Sequence, residues 1–349
     1  MKTRFLGLDL IRIWMTFAVV CVHCYRAKAC YPDGEPWYVA LVMAGGIAVP
    51  VFMTMSFFLT QRHFLGDGWG WLGKRMLRLY VPFAFWAFVT FFVTRAMSGP
   101  HVTDPWHCDS TWRSLGIHLI GGTSLAFHLQ MWFMGVLCWM TPVVFLLCRP
   151  FKGRLPVRTL AALAVAAVMM QYTGFNKWLF GMIPEFGIRI PAGRFFEMVP
   201  YVCVGLLAAS QKDAIAALSE RKRAVFAAIA LVFFVFFKYT PVFIKAPGFS
   251  YSGLERMSIA FAALAFFYLL PLDRVPGWIA KAASFVARYS MGVYMTHWLV
   301  CRLLERWLFP SLGVVPQTVA AAALAFAAAW LASFLIGLIP CKATRALVT

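Results

Sequence analysis

The chain has 349 residues, 62% of them apolar and only 13% charged, with a mean hydropathy of +0.76. Soluble domains are about 45–50% apolar and about 25% charged, so an ordinary soluble enzyme is excluded, and 17% aromatic residues exclude disorder. A balance of 32 basic to 13 acidic residues would suggest nucleic acid in a soluble chain. In a membrane protein it reflects the Lys and Arg that collect in cytoplasmic loops, and no nucleic-acid partner is expected.

In chain order, apolar runs broken by Pro, Gly and charge predict about ten transmembrane helices. They lie near residues 6–25, 38–60, 79–97, 128–148, 156–173, 195–210, 224–240, 257–272, 288–308 and 317–339. The fold class is therefore all-α and polytopic, a single integral-membrane domain over 1–349 with no soluble appended domain. An N-terminus in the cytoplasm puts most basic residues in inner loops, so both termini are predicted inside. The first 25 residues have the basic start of a signal peptide. However, no small-residue cleavage site follows and Asp9 and Arg12 interrupt the run, which predicts a retained first span.

That first span carries Asp9, Arg12 and His23. Ionisable groups inside spans are expensive and face a protein interior or a wet cavity. At 100° per residue Arg12 and His23 differ by about 20° around the axis, with Asp9 within about 60° of Arg12. One stripe thus presents an acid–guanidinium pair and, about 16 Å further along, an imidazole. Cys21 and Cys24 on the same helix read as small hydrophobes rather than a metal motif, and none of the nine cysteines implies a metal. Cys30 and Cys108 fall in outer loops, where an oxidising compartment would let them pair.

The inner loop before the third span brings Lys74, Arg75 and Arg78 to its first turn, with Arg62 nearby. Guanidinium forks three apart suit a polyphosphate ligand; a basic cluster at an inner helix end also follows from topology alone. The outer loop 98–127, with His101, Asp104, Trp106, His107, Asp109 and Trp112, has the polar and aromatic content of a sugar-binding loop or of any wet interfacial one. His128 and Trp132 open the fourth span, and His297 sits mid-helix in the ninth with Arg302 and Glu305 beyond it. Histidines in such places serve either acid–base chemistry or a proton relay in a transporter or flippase. Residue types alone leave both open.

Taken in order, these segments resemble the acyltransferase-3 family of bacterial integral-membrane acyltransferases. The family's Arg, ten residues, then His matches Arg12 and His23, preceded by Leu8 and Asp9. Its Arg-x-x-Arg matches Arg75 and Arg78, and its Phe-rich, Ser-Gly-Phe-Leu-like end to the second span resembles Val51 to Leu59, with Phe57 in place of the glycine after Ser56. The fourth-span His-Leu-Trp-Phe-like start resembles His128 to Phe133 in shifted register around Gln130. The late Ser-Tyr-Ser-Ile-Tyr-Leu-x-His element matches Tyr289 to His297. Ile11 and Ile13 flank Arg12 where many members have glycine. The resemblance covers roughly residues 5–340.

The resemblance implies an O-acyltransferase of the bacterial cytoplasmic (inner) membrane. Acetyl-CoA is the expected donor, and the acceptor is a hydroxyl of an extracytoplasmic glycan or lipid-linked saccharide. Arg75, Arg78 and Lys74 would hold the CoA phosphates. His23 would be general base on the acceptor hydroxyl or, as the second choice, a transient acyl carrier, and Arg12, held by Asp9, would orient the donor or steady developing negative charge. His128, Trp132, His297 and Glu305 would line the acceptor cavity.

Overall fold

The computed structural model describes residues 6–24, 48–64, 68–98, 112–119, 131–152, 154–172, 192–244, 275–312 and 319–348. Among the described residues every regular element is helical. In order they are α1 (Leu6–Cys24), α2 (Ala48–Phe64), α3 (Trp69–Ser98), α4 (Trp112–Leu119), α5 (Trp132–Cys148), α6 (Val157–Tyr172) and α7 (Ala192–Ser210). There follow α8 (Lys212–Ala216), α9 (Glu220–Ile244), α10 (Gly277–Arg288), α11 (Ser290–Leu303), α12 (Phe309–Leu312), α13 (Val319–Leu338) and α14 (Lys342–Ala346). A π turn, Leu304–Leu308, joins α11 to α12. Among the described residues four stretches are long and apolar enough to cross a membrane, Leu6–Cys24, Trp69–Val93, Trp132–Phe151 and Val319–Leu338, so the chain is a multi-pass membrane protein. The expected span at 257–272 lies outside the described residues.

The chain packs as two compact units, Met1–Phe52 with Phe267–Thr349, and Met53–Phe266, the boundary falling inside α2. In the first unit, α1, α11 and α13 form the core. Their contact surface is built from small side chains: Ala321, Ala325, Ala329 and Ser333 recur every fourth residue on α13 and are fully buried, and Gly337 continues the series. Small residues at this spacing let helix backbones approach where lipid supplies no hydrophobic drive. Gly292 on α11 meets Ser333, and Gly337 meets the Tyr289 ring. Phe285, Tyr289, Trp330 and Phe334 close the flank as an aromatic cluster.

Pairings fix helix directions within this unit. Asp9 meets Ser284 while Cys24 meets Cys301, so α1 runs parallel to α10 and α11. Gly337 lies at Tyr289 and Ser333 at Gly292, so α13 runs antiparallel to α11. The Gly292 N–H donates to the Val348 carbonyl at 3.2 Å, tying the segment after α14 to the start of α11. The N-terminal end of α1 and the C-terminal α14 therefore share one end of the unit.

In the second unit, α6 packs along α7 and α3 along α5. The C-terminal end of α2, the N-terminal end of α3 and the C-terminal end of α5 meet in one aromatic cluster. Phe64 and Trp71 contact each other, both contact Phe145, and His63 stacks on Trp71. Helix α3 starts ten residues before its expected apolar run, so Lys74, Arg75 and Arg78 lie within the helix rather than at its mouth.

The expected outer loop 98–127 is not uniformly loop. Its residues 112–119 form α4, which lies antiparallel along α3: Trp112 packs on Phe91 at 4.8 Å while the Tyr80 hydroxyl donates to the Leu119 carbonyl at 3.0 Å. Trp112, Leu115 and Leu119 share one face by helical spacing, and that face explains the docking.

Candidate functional site

Helix α1 is unbroken from Leu6 to Cys24, so the stripe expected from sequence is present. Asp9 is buried, its side chain 5% exposed. It accepts a hydrogen bond from the Ser284 hydroxyl at 2.9 Å and faces the Arg12 guanidinium at 3.9 Å. Arg12 keeps about a third of its side-chain surface open and leans back toward Asp9. The helix rise separates Arg12 and His23 by about 16 Å along the axis. Two groups that far apart cannot serve the same reacting atom.

At the other end of α1, His23 and His297 come together, their ring centroids 5.0 Å apart and tilted by 49°. They are 274 positions apart, and nothing in either local sequence announces the pairing. His23 is partly exposed; His297 is fully buried. The Nδ1 of His297 lies 2.6 Å from the Tyr294 carbonyl oxygen and 3.2 Å from that of Val293. Carbonyl oxygens only accept, so Nδ1 carries the proton and Nε2 holds the bare lone pair. Among the described residues that buried Nε2 has no hydrogen-bond partner.

Charge and thiols surround this pair. Arg302 and Glu305 form an ion pair at 3.4 Å, and the Arg302 guanidinium covers the Trp298 ring at 5.4 Å. Arg302 is within electrostatic reach of His23, and Glu305 of Cys24. The Sγ atoms of Cys24 and Cys301 are 3.0 Å apart in a buried thiol–thiol contact. Glu305 lies in the π turn, a helix irregularity that recurs at functional positions.

In the second unit, Arg75 and Arg78 sit in different surroundings. Arg75 is half-buried and donates to the Ser56 hydroxyl at 2.9 Å, while Arg78 and Lys74 are exposed. The structure thus joins the serine of one sequence motif to the first arginine of another. The same helix end gathers further cations: Arg62 is exposed beside His63, and Arg149 sits over Trp69 at 4.9 Å. Spacing along α3 gives no sign of Arg149, whose position comes from the packing of α5. Trp132 opens α5 half-buried. His128, Cys30, Cys108, His101, Asp104, Trp106, His107 and Asp109 lie outside the described residues.

Compared with protein families, residues 5–334 match the acyltransferase-3 family model, described as an acyltransferase domain. No curated protein and no solved structure matches the chain.

Proposed function

The chain belongs to the acyltransferase-3 family and is a membrane acyltransferase; from that premise we propose that it moves an acetyl group from acetyl-CoA to a hydroxyl of an extracytoplasmic glycan or glycolipid at the bacterial cytoplasmic membrane. The observation that carries this reading is the partly exposed His23 beside His297, an imidazole able to take a proton from an acceptor hydroxyl. Arg75, Arg78 and Lys74 bind the CoA phosphates from the cytoplasmic side, Arg75 steadied by Ser56.

His23 removes the hydroxyl proton as the oxygen attacks the thioester carbonyl. The O–C bond forms, the C–S bond breaks, and the proton passes to the leaving CoA thiolate. Arg12 lies too far along α1 to meet charge developing beside His23. Of its two expected roles, the one that fits is contact with the long donor arm, with Asp9 and Ser284 fixing its base. Glu305, on the same unit as His23, supplies a further polar group on the acceptor side.

Purified protein in lipid, given labelled acetyl-CoA and envelope glycan, is expected to transfer label. His23→Ala is expected to lose roughly 10²–10⁴-fold of that rate while its thermal unfolding stays near wild type. A wild-type rate in this variant removes His23 from the chemistry. A wild-type protein that transfers no label yet moves a solute in a proton-dependent way supports the carrier reading instead.

A further inference from the structure

The Nε2 of His297 is a buried acceptor with its lone pair in place and no donor among the described residues. Such a group is costly to leave unsatisfied, and its partner must bring an N–H or O–H. The ring beside it is His23, 5.0 Å away between centroids. A direct N–H to N bond between two imidazoles needs a centroid separation of about this size, given donor–acceptor distances near 2.9 Å. The separation is compatible with such a bond, and turning the His23 ring about its Cβ–Cγ bond aims one of its nitrogens at Nε2.

We propose that His297 is the positioning residue for His23: its Nε2 accepts the N–H of one His23 nitrogen and so leaves the other nitrogen bare, facing the acceptor hydroxyl. The chain of bonds runs Tyr294 carbonyl, His297, His23, acceptor hydroxyl. The backbone fixes the tautomer of His297, and His297 in turn fixes that of His23. A carboxylate commonly does this for a catalytic histidine; here a neutral imidazole takes its place. Once His23 has taken the hydroxyl proton it is an imidazolium, and its bond to Nε2 becomes charge-assisted and shorter. The support is thus stronger after proton transfer than before it, which is the condition for accelerating the step rather than merely binding substrate. His297 itself never exchanges a proton with the substrate.

The inference rests on the reading of His23 as the base, and its test separates the two. His297→Asn keeps an amide N–H where Nδ1 meets the Tyr294 carbonyl but offers nothing at the Nε2 position. His297→Gln reaches that position with an amide oxygen that can accept. The His297→Asn variant is expected to lower kcat by roughly ten- to a hundredfold with the KM for acetyl-CoA within twofold of wild type, and His297→Gln to restore most of the loss. Equal rates in the two variants, or an effect confined to KM, overturn the proposal.

A second readout needs no turnover. In protein labelled with 15N-histidine, with the His23 signals assigned by their absence in His23→Ala, wild type and His297→Gln are expected to show one fixed His23 tautomer and His297→Asn an exchanging mixture. A His23 tautomer population unchanged in His297→Asn overturns the proposal even if acetyl transfer proves not to be the reaction.

Discussion

Ser56 and Arg75 show how a single contact gives meaning to two residues that sequence leaves apart. Arg75 could have pointed to solvent with Arg78, as a charge that only sets topology does. Instead it is half-buried and donates to Ser56 on the neighbouring helix, which limits its rotamers and aims its guanidinium. A fork held this way loses less freedom when it takes up a phosphate. Arg75→Ala is therefore expected to raise the KM for acetyl-CoA about tenfold or more with kcat little changed, and Ser56→Ala to produce a smaller rise of the same kind. Steady-state kinetics at varied acetyl-CoA decides it: an unchanged KM in Arg75→Ala leaves the basic cluster with a topological role alone.

The residue scale is also where sequence reading reached furthest. Asp9, Arg12 and His23 were legible because a charge inside an apolar run is out of place, and helical spacing then puts the three on one stripe. Ser284, Cys301 and the meeting of His23 with His297 were not legible. Each depends on which helices pack together, and serine or cysteine in an apolar span carries no charge to draw notice. The 16 Å between Arg12 and His23 was available from spacing alone, and it is what restricts the role of Arg12.

At the scale of helices, close approach is controlled by glycine and alanine. Gly205 on α7 lies against the Thr54 carbonyl and the Phe58 amide of α2, so that a Cβ added there would collide with backbone. Backbone cannot swing aside as a side chain can, and overpacking of this kind destabilises by about 1–3 kcal/mol. Gly205→Ala is expected to lower the Tm of the detergent-purified protein. Gly73, also helical, has nothing within 4 Å of its added Cβ, and Gly73→Ala is expected to be neutral or stabilising by up to about 1 kcal/mol. An unchanged Tm in Gly205→Ala would show that α7 does not press against α2 there.

Helix α4 marks what apolar-run reading misses. Eight residues cannot span a bilayer, so 112–119 reads as part of an outer loop, although Trp112, Leu115 and Leu119 already fall on one face. The contact of Leu119 with Tyr80 carries this segment back along α3, into the stretch Trp69–Val93 that is apolar enough to cross the membrane. Non-spanning backbone at that depth is tolerated where protein covers it, and α3 provides the cover. Trp112 is thereby set against Phe91 while most of its surface stays exposed.

For the molecule as a whole, the charge pattern favours one way of facing the membrane. Most of the 32 basic residues fall in loops assigned to the cytoplasm when α1 starts inside. The first unit adds an independent constraint: the N-terminal end of α1 and α14 share one end, so a single marker near the C-terminus reports for both. Cys341 is such a marker, exposed just before α14, whereas Cys21, Cys24, Cys138, Cys148, Cys203 and Cys301 are buried. With Cys30 and Cys108 replaced by serine, a membrane-impermeant maleimide is expected to leave intact spheroplasts unlabelled and to label Cys341 once the membrane is opened. Labelling of intact spheroplasts would put the N-terminal end of α1 outside. It would also place the Asp9–Arg12 pair near the outer face and His23 toward the inner one. The acceptor would then have to meet its base on the cytoplasmic side, and an extracytoplasmic glycan could no longer be the substrate. A reagent that never touches the active site thus tests the substrate class, because one continuous helix carries both the terminus and the histidine.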